Sequence, residues 1–461
     1  MILLIPVIVA GCSMPTFYQR FYDFNHLVSD GNLAKAEEML TRQAPRMQTG
    51  RLRFLYEVNA GLVLAMQGKF KESNAHFEQA DLFVEDFRKN VLEEGSALLL
   101  NPNLTTYRGE DHEVLMINYY KALNYLQMYD YENALVEARR MNLRLQALSQ
   151  KYQSGNKYKR DAFIHLLMGL IYDASGEYNN AFIAYRNALE IYEDDFSRLF
   201  NLPAPAQLQQ DLVRTADLSG LYAERDRYIE QFQLNYTRPL PGQGWLVMLW
   251  NNGLGPVKVE SGLNFTIVYG HDGRVTFVNR EYGLSFPFYL DEEHDLNGLT
   301  WIKVVFPRYV ERPEMFVRAE LATQGRVYRF QKAEDINAIS FKVLEERRVL
   351  ELTKSLLRVA LKQAAAAQAG KENEGLGTAL SIIGSLTESA DTRNWQTLPH
   401  SIYYTRVPLT AGNHELEMLL YSVNGQRLKH PVAVSVRPGQ TKVYPINTMA
   451  TTFHQLASYP Y

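Results

Sequence analysis

The most restrictive feature of the chain is a set of small and aromatic residues spaced as in two antiparallel helices joined by a tight turn. The small side chains at Gly169 and Ala181 let two helices approach closely, and Gly176 suits the left-handed turn between them. Tyrosines fill the space on either side of such a crossing. The full set is Gly169, Tyr172, Gly176, Tyr178, Ala181, Tyr185 and Ala188. This pattern predicts one helical pair.

Weaker copies of this pattern occur earlier in the chain and predict a repeat array. The anchors on the second helices are Ala36, Ser73, Ala134 and Ala181. Their separation exceeds the period of about 34 residues of a regular array, which predicts insertions around 88–110 and 142–158. A further pair is expected at 205–234. The pattern resembles the tetratricopeptide repeat (TPR), whose stacked pairs form a concave surface that binds peptides or proteins.

The character of the sequence changes at a Pro-Leu-Pro-Gly linker that spans 239–242. Short runs with high β propensity follow, separated by turn residues, and they predict an antiparallel sandwich or barrel. The predicted strands are 245–250, 263–268, 274–279, 300–306, 315–322, 326–331, 402–409, 415–423, 432–436 and 442–444.

A long helical segment interrupts this β-rich half. Apolar residues recur at helical spacing over 333–369, and a second apolar piece spans 378–386, so the two could form a helical hairpin. Such an insertion either packs against the sheet or forms an amphipathic arm that contacts a partner or a membrane.

The resulting fold class is multidomain α + β. An N-terminal TPR-like α-solenoid (12–235) precedes an antiparallel β-sandwich-like domain in two parts (236–332 and 390–461), with a long helical insertion at 333–389.

The first residues indicate export and lipidation. Residues 1–11 form an apolar run that ends in two small residues directly before Cys12, the only cysteine. The run is shorter than the roughly 20 residues needed to span a bilayer and is typical of a signal peptide, although no basic residue precedes it. The segment Val9-Ala10-Gly11-Cys12 resembles the bacterial lipobox, which implies acylation of Cys12. The residue after the cysteine, Ser13, resembles that of lipoproteins sorted to the outer membrane. A buried N-terminal strand is the alternative.

Several motifs further resemble one family of bacterial TPR lipoproteins of poorly defined function. They are YRGE at 107–110, YKALNYL at 120–126, VEARR at 136–140, NGLGPVKVE at 252–260 and ADTRNWQTLP at 390–399. Members are often encoded beside lipoproteins similar to curli-secretion pores and to activators of penicillin-binding proteins. The resemblance implies an outer-membrane lipoprotein that faces the periplasm within an envelope assembly.

These motifs supply the candidate partner-binding residues, which are Glu137, Arg139, Arg140, Lys258, Asp391, Arg393 and Trp395. Each has a structural alternative. Asp391 and Arg393 can form a charge-assisted pair, and Trp395 can act as a buried peg between the helical insertion and the β domain. A turn at 253–256 is expected to bring Lys258 near Glu260.

Other function classes find little support in the sequence. The net charge of −3 offers no electrostatic case for nucleic acid. No phosphate-binding loop, zinc-protease motif or Cys/His pair occurs, and the acidic run at 291–295 is typical of a solvated loop.

The sequence therefore predicts a protein that is not an enzyme and that has no cofactor and no metal. Its expected partners are envelope proteins. Its lipid anchor is expected to give it contact with the membrane. The alternatives are a regulator of peptidoglycan synthesis that binds a synthase through the TPR groove, and an envelope hydrolase with a site between the two halves.

Overall fold

The structure is a computed structural model, and it describes residues 15–89, 105–151, 160–271, 274–289, 296, 300–372 and 389–451. The predicted signal peptide, the lipidation site Cys12, the acidic run 291–295 and the apolar piece 378–386 lie outside these residues.

The first half is helical. Its helices are α1 (Phe17–Arg20), α2 (Tyr22–Ser29), α3 (Leu33–Met47), α4 (Arg53–Met66), α5 (Phe70–Lys89), α6 (Asp111–Gln127), α7 (Tyr131–Lys151), α8 (Ala162–Ala174), α9 (Tyr178–Ile191), α10 (Ser197–Phe200), α11 (Ala206–Leu218) and α12 (Tyr222–Phe232). A π-helical turn, Tyr192–Phe196, joins α9 to α10.

The predicted helical pairs are present, so this half is TPR-like. In the pair α8–α9, a Cβ atom at Gly169 would lie 2.3 Å from Cε1 of Tyr185, so only glycine fits this crossing. Gly176 has φ +83° in the turn. The predicted pair at 205–234 is α11–α12. The insertion expected around 142–158 is in part an extension of α7 to Lys151.

The second half forms twelve strands among the described residues. They are β1 (Gln243–Leu254), β2 (Val257–Tyr269), β3 (Arg274–Asn279), β4 (Leu284–Tyr289), β5 (Trp301–Val310), β6 (Phe316–Thr323), β7 (Arg326–Arg329), β8 (Gln331–Asp335), β9 (Pro399–Thr410), β10 (Gly412–Ser422), β11 (Arg427–Val436) and β12 (Thr441–Thr448).

These strands form three sheets. The central sheet has the order β12-β1-β9-β8, the second sheet β11-β10-β6-β7 and the third sheet β4-β3-β2-β5. The expectation that the sheets are antiparallel throughout was wrong, because β1 and β12 pair in parallel, with Trp245 opposite Thr441. The run predicted at 326–331 is two strands in different sheets, β7 and the start of β8. β4 was not predicted, and it contains Pro287, a residue that is unusual within strands.

The central sheet is buried on both faces. Val247 and Leu249 of β1 point into the core that the helices share, whereas Leu246 and Met248 face the second sheet. This division follows from the two-residue period of a strand. The helices and the second sheet therefore cover opposite faces of the central sheet.

The long helix of the insertion, α13 (Ile336–Glu372), begins directly after β8. Its N-terminus is capped by Asp335, whose carboxylate accepts a hydrogen bond from the N–H of Ala338 at 2.8 Å. Near its start, Ile339 packs in the core of the helical half, and further along Leu352 and Leu356 pack on the third sheet. No helix within the described ranges is both long enough and apolar enough to cross a membrane.

Candidate functional site

The first helices α4, α6 and α8 of the three central repeats are buried along most of their length. In α4 the residues from Phe54 to Leu64 are all buried, and in α6 those from His112 to Asn124 are. Each of these helices packs against the second helix of its repeat on one side and contacts the C-terminal half on the other. The second helices α5, α7 and α9 keep one exposed face. The surface that first helices offer to a peptide in a TPR array is therefore covered by this chain's own C-terminal half.

Three of the motifs that carry the family resemblance meet at this contact. We call it the junction, and it consists of residues 105–113, 252–260 and 390–399. The carboxylate of Glu110 forms ion pairs with Lys258 and with Arg347 of α13, the latter at 2.5 Å. The side chain of Asn394 accepts a hydrogen bond from the Lys258 N–H and donates one of 2.8 Å to the Pro256 carbonyl. These ion pairs and hydrogen bonds thus join segments that lie far apart in sequence.

Glu113 is the central acceptor of the junction. Its Oε2 accepts hydrogen bonds from the Tyr107 hydroxyl at 2.7 Å and from the Glu110 N–H at 3.0 Å. The second of these bonds belongs to the capping box that begins α6. Its Oε1 accepts a bond of 2.7 Å from the N–H of Trp395. One carboxyl group therefore joins the start of a repeat to the C-terminal half.

Trp395 is a buried peg, with 1% of its surface exposed. Its ring lies 6.0 Å from that of Phe77 in α5 and 5.8 Å from that of Tyr120 in α6. The indole N–H donates to the Thr397 hydroxyl at 3.0 Å, which donates in turn to Asn59 of α4 at 2.6 Å. The peg therefore enters the helical repeats, and not the contact between insertion and β domain that the sequence suggested.

The predicted pair of Asp391 and Arg393 is formed. The guanidinium donates two hydrogen bonds of 2.8 Å to the carboxylate and one of 2.7 Å to the carbonyl of Thr105. It also lies over the ring of Tyr107, at 5.2 Å. Arg393 is buried, so it binds this chain and not a surface ligand.

Lys258, which was expected to lie near Glu260, forms its ion pair with another carboxylate. Its ammonium group pairs with Glu110 and lies over the rings of Tyr107 and Tyr309. Glu260 instead accepts a hydrogen bond of 2.9 Å from the N–H of Ala390. Glu110, which lies in another segment of the chain, therefore supplies the counter-charge for the buried ammonium group.

The titration of the junction follows from burial and charge. Burial raises the pKa of Glu110, but Lys258 and Arg347 outweigh it and hold that pKa at about 2. Burial and the charge of Glu110 raise the pKa of Glu113 to about 7. Burial lowers the pKa of His112 to about 4. Two carboxyl groups with pKa values shifted apart can serve acid and base chemistry, but both are buried and bonded to this chain's own residues.

A second buried network joins the central sheet to the helices. Arg406 of β9 donates hydrogen bonds of 2.6 Å to Asp173 of α8 and to Asp211 of α11. Arg214 also pairs with Asp173, which accepts a further bond of 3.0 Å from the Thr441 hydroxyl. Sequence reasoning missed this network, although an acid within the apolar run of α8 was a signal that a buried cation lay opposite.

The candidate residues of α7 divide between interior and surface. Glu137 is buried and binds Lys121 at 2.9 Å and Asn118 at 2.6 Å. Arg139 donates to the Tyr172 hydroxyl at 2.7 Å. Arg140 remains half exposed while pairing with Glu137. Of the candidate partner-binding residues, Arg139 and Arg140 are those whose side chains reach solvent most freely.

Within the described residues, no group of three His, Cys, Asp or Glu side chains has an arrangement that could hold a metal ion.

Comparison with known proteins gives matches among solved structures only. No family model matches the chain, and no curated protein matches it in sequence. BtubC (BKLC) from P. vanneervenii is 16% identical and covers 47% of this chain and 80% of its own, with a TM-score of 0.33. A tetratricopeptide repeat protein from Parabacteroides merdae is 15% identical, covering 47% and 79%, with a TM-score of 0.21. MamA protein is 13% identical, covering 48% and 96%, with a TM-score of 0.28. At these TM-scores the matches assign neither a family nor an activity to this chain.

Proposed function

We propose that this protein is a scaffold of the bacterial cell envelope that binds other proteins and performs no catalysis. Its tether would be a lipid on Cys12, holding it on the periplasmic side of the outer membrane. The lipobox-like segment before Cys12 and the family motifs support this location. The TPR-like helices support a role in protein interaction.

The observation that carries the proposal is an exposed apolar surface on the third sheet, opposite the face that α13 covers. We call it the partner face, and it consists of Val268, Val278, Pro287, Tyr289 and Trp301. Tyr289 is 78% exposed, Trp301 60% and Val268 48%.

The strand register places these side chains on one face of the sheet, with Thr266, Thr276 and Arg274 among them. Trp301 lies opposite Thr266, which lies opposite Val278 on its other side. Pro287 lies opposite Thr276, which is itself paired with Val268. Clustered exposed apolar residues mark interaction sites, and Trp and Tyr dominate the binding energy of protein interfaces. The occupant we propose is a folded protein with an apolar patch of its own.

The covered inner helices explain why the partner would bind here. A peptide that approached the first helices would have to displace the central sheet and break the ion pairs of Arg406 and Glu110. A regulator of peptidoglycan synthesis remains the alternative, but its synthase would bind an outer surface and not the TPR groove. The hydrolase alternative has less support, because the shifted carboxyl groups between the halves are buried.

The position of α1 supports a short tether. The N–H of Phe17 donates a hydrogen bond of 3.1 Å to the Thr392 hydroxyl, which fixes α1 on the junction. Phe17 lies five positions after Cys12, and an extended chain spans at most about 3.6 Å per position. A lipid on Cys12 would thus hold the junction within roughly 18 Å of the membrane surface.

Two variants test the proposal. With Cys12→Ser, we expect the protein to leave the membrane fraction; retention at the native level would contradict lipid anchoring. With Trp301→Arg, we expect the melting temperature to stay the same and captured envelope proteins to be lost. Tyr222→Arg, at a half-exposed position of α12, is the matched control and should retain them. Equal capture by both variants would contradict the partner face.

A further inference from the structure

One end of the second sheet exposes aliphatic side chains. Val317 lies near the start of β6, Val423 opens the turn between β10 and β11, and Leu428 follows that turn. Each is between 49% and 54% exposed. Leu428 lies opposite Leu420, which is fully buried, so strand alternation alone would direct both side chains to the covered face. The sheet therefore extends past its core at this end.

Two arginines flank a tyrosine at the same end. Arg318 of β6 and Arg427 of β11 are the strand partners of Tyr421 on its two sides. Their guanidinium carbons lie 3.9 Å and 5.5 Å from the centre of the tyrosine ring, where its electron density attracts a cation. We call this end of the sheet the tip, and it consists of Val317, Arg318, Tyr421, Val423, Arg427 and Leu428.

The charges of the tip favour an anionic surface. Its turn, residues 423–426, reads Val-Asn-Gly-Gln and carries no charge. Glu320, beside Tyr421, is buried, and it accepts a hydrogen bond of 2.9 Å from the tyrosine hydroxyl. It also pairs with Arg329 at 3.2 Å and with Arg318 at 3.8 Å. Exposed arginines beside aliphatic residues and a tyrosine are typical of protein surfaces that lie at the interface of an anionic membrane.

The tip lies close to the start of the described chain. The guanidinium carbon of Arg312, which is buried, lies 5.9 Å from the centre of the Tyr18 ring in α1. Val317 follows Arg312 by five positions, so an extended chain places it within about 18 Å of that contact. A membrane surface that held a lipid on Cys12 would therefore be within reach of the tip.

We propose that the tip binds the surface of a membrane that contains anionic phospholipids. Arg318 and Arg427 pair with the phosphate groups of the lipids, while Val423 and Leu428 enter the boundary between headgroups and acyl chains. The end of a hairpin suits a deformable lipid surface, whereas a protein partner would need a cavity of matching shape. This contact is separate from the partner face, and it adds to the anchor proposed at Cys12 without requiring it.

The test measures binding to lipid vesicles by flotation. It uses the chain from Ser13 onward, which retains every described residue and has neither the apolar run at 1–11 nor the lipidation site. We expect binding to vesicles of phosphatidylcholine with phosphatidylglycerol and little binding to vesicles of phosphatidylcholine alone. In about 1 M sodium chloride the binding should fall, since salt screens exposed charges.

Variants identify the surface. We expect Arg318→Gln and Arg427→Gln each to weaken binding to the anionic vesicles by about fivefold, and the double variant by at least about tenfold. Val423→Asp should also weaken binding, because a carboxylate cannot enter the acyl boundary. All these positions are exposed or half-buried at the sheet surface, so the melting temperature should change little.

Matched controls lie at the other end of the same sheet, where β7 begins. Arg326→Gln and Val327→Asp change one exposed residue of each kind there, and both should bind as the parent does. No binding to the anionic vesicles, equal binding to both kinds of vesicle, or full binding by the double arginine variant would overturn the proposal. Capture of an acidic protein through the two arginines, without vesicle binding, would also overturn it.

Discussion

The backbone N–H of Trp395 donates a hydrogen bond of 2.7 Å to the carboxyl group of Glu113, although the two lie 282 positions apart along the chain. The same tryptophan packs its ring among Phe77 and Tyr120 of the repeats. The C-terminal half thus completes the core of the helical half, and the two are expected to unfold together.

Trp395→Ala should lower the free energy of unfolding by about 3–5 kcal/mol, because it leaves a large cavity between α5 and α6. The matched control is Trp301→Ala at an exposed position, which should change it by no more than about 0.5 kcal/mol. Urea denaturation followed by circular dichroism checks both. Equal, small effects would contradict the buried peg.

Glu110→Gln should be strongly destabilising, because it leaves Lys258 buried without its counter-charge. The expected loss in the free energy of unfolding is about 3–5 kcal/mol. Adding Lys258→Met should recover part of this loss, since no buried charge then remains at that position. Glu38→Gln, which removes an exposed ion pair with Arg42, is the control and should cost less than about 0.5 kcal/mol. A double variant that is less stable than Glu110→Gln would contradict the account.

The raised pKa of Glu113 predicts that the free energy of unfolding depends on pH. Its pKa is about 7 in the folded protein, raised from 4.5, so the folded state holds this proton more tightly. The stability it contributes is complete below pH 4.5 and is lost as the pH rises through about 7.

The parent and Glu113→Gln are compared by urea denaturation at pH 5 and pH 8, so that effects of His112 cancel. The parent should lose about 1–3 kcal/mol relative to the variant over this range. A difference that does not change with pH would contradict the raised pKa.

Ala181→Leu should overpack the crossing of α8 and α9 and lower the free energy of unfolding by about 1–3 kcal/mol. Ala181 is fully buried on α9, whereas Ile183 two residues later is partly exposed. Ile183→Leu is therefore the control and should have little effect. An unchanged denaturation midpoint for Ala181→Leu would mean that the crossing lies elsewhere.

The local part of this fold could be predicted and the long-range part could not. The helical pair around Gly176 depends on residues within one repeat, and the predicted helix at 333–369 corresponds closely to α13. The parallel pairing of β1 with β12 joins strands almost two hundred residues apart, and alternation within each strand carries no information about its neighbour.

The same limit applies to the junction. The motifs at 107–110, 252–260 and 390–399 stand out in the sequence as candidates, but the sequence does not predict their contact with one another. Lys258 was expected to lie near Glu260, its neighbour in sequence, and its ion pair is with Glu110, a residue of the other half. Asp173 stands out as an acid in the apolar run of α8, but nothing in the sequence indicates that its partner is Arg406 of the other half.

The most direct test of the scaffold is photo-crosslinking in living cells with a photoreactive amino acid at position 301 of the partner face. The same amino acid at position 222, half exposed on α12, is the control. We predict discrete protein adducts from position 301 and none of the same mass from position 222. Adducts to lipid alone, or identical adducts from both positions, would contradict a protein-binding role for this surface.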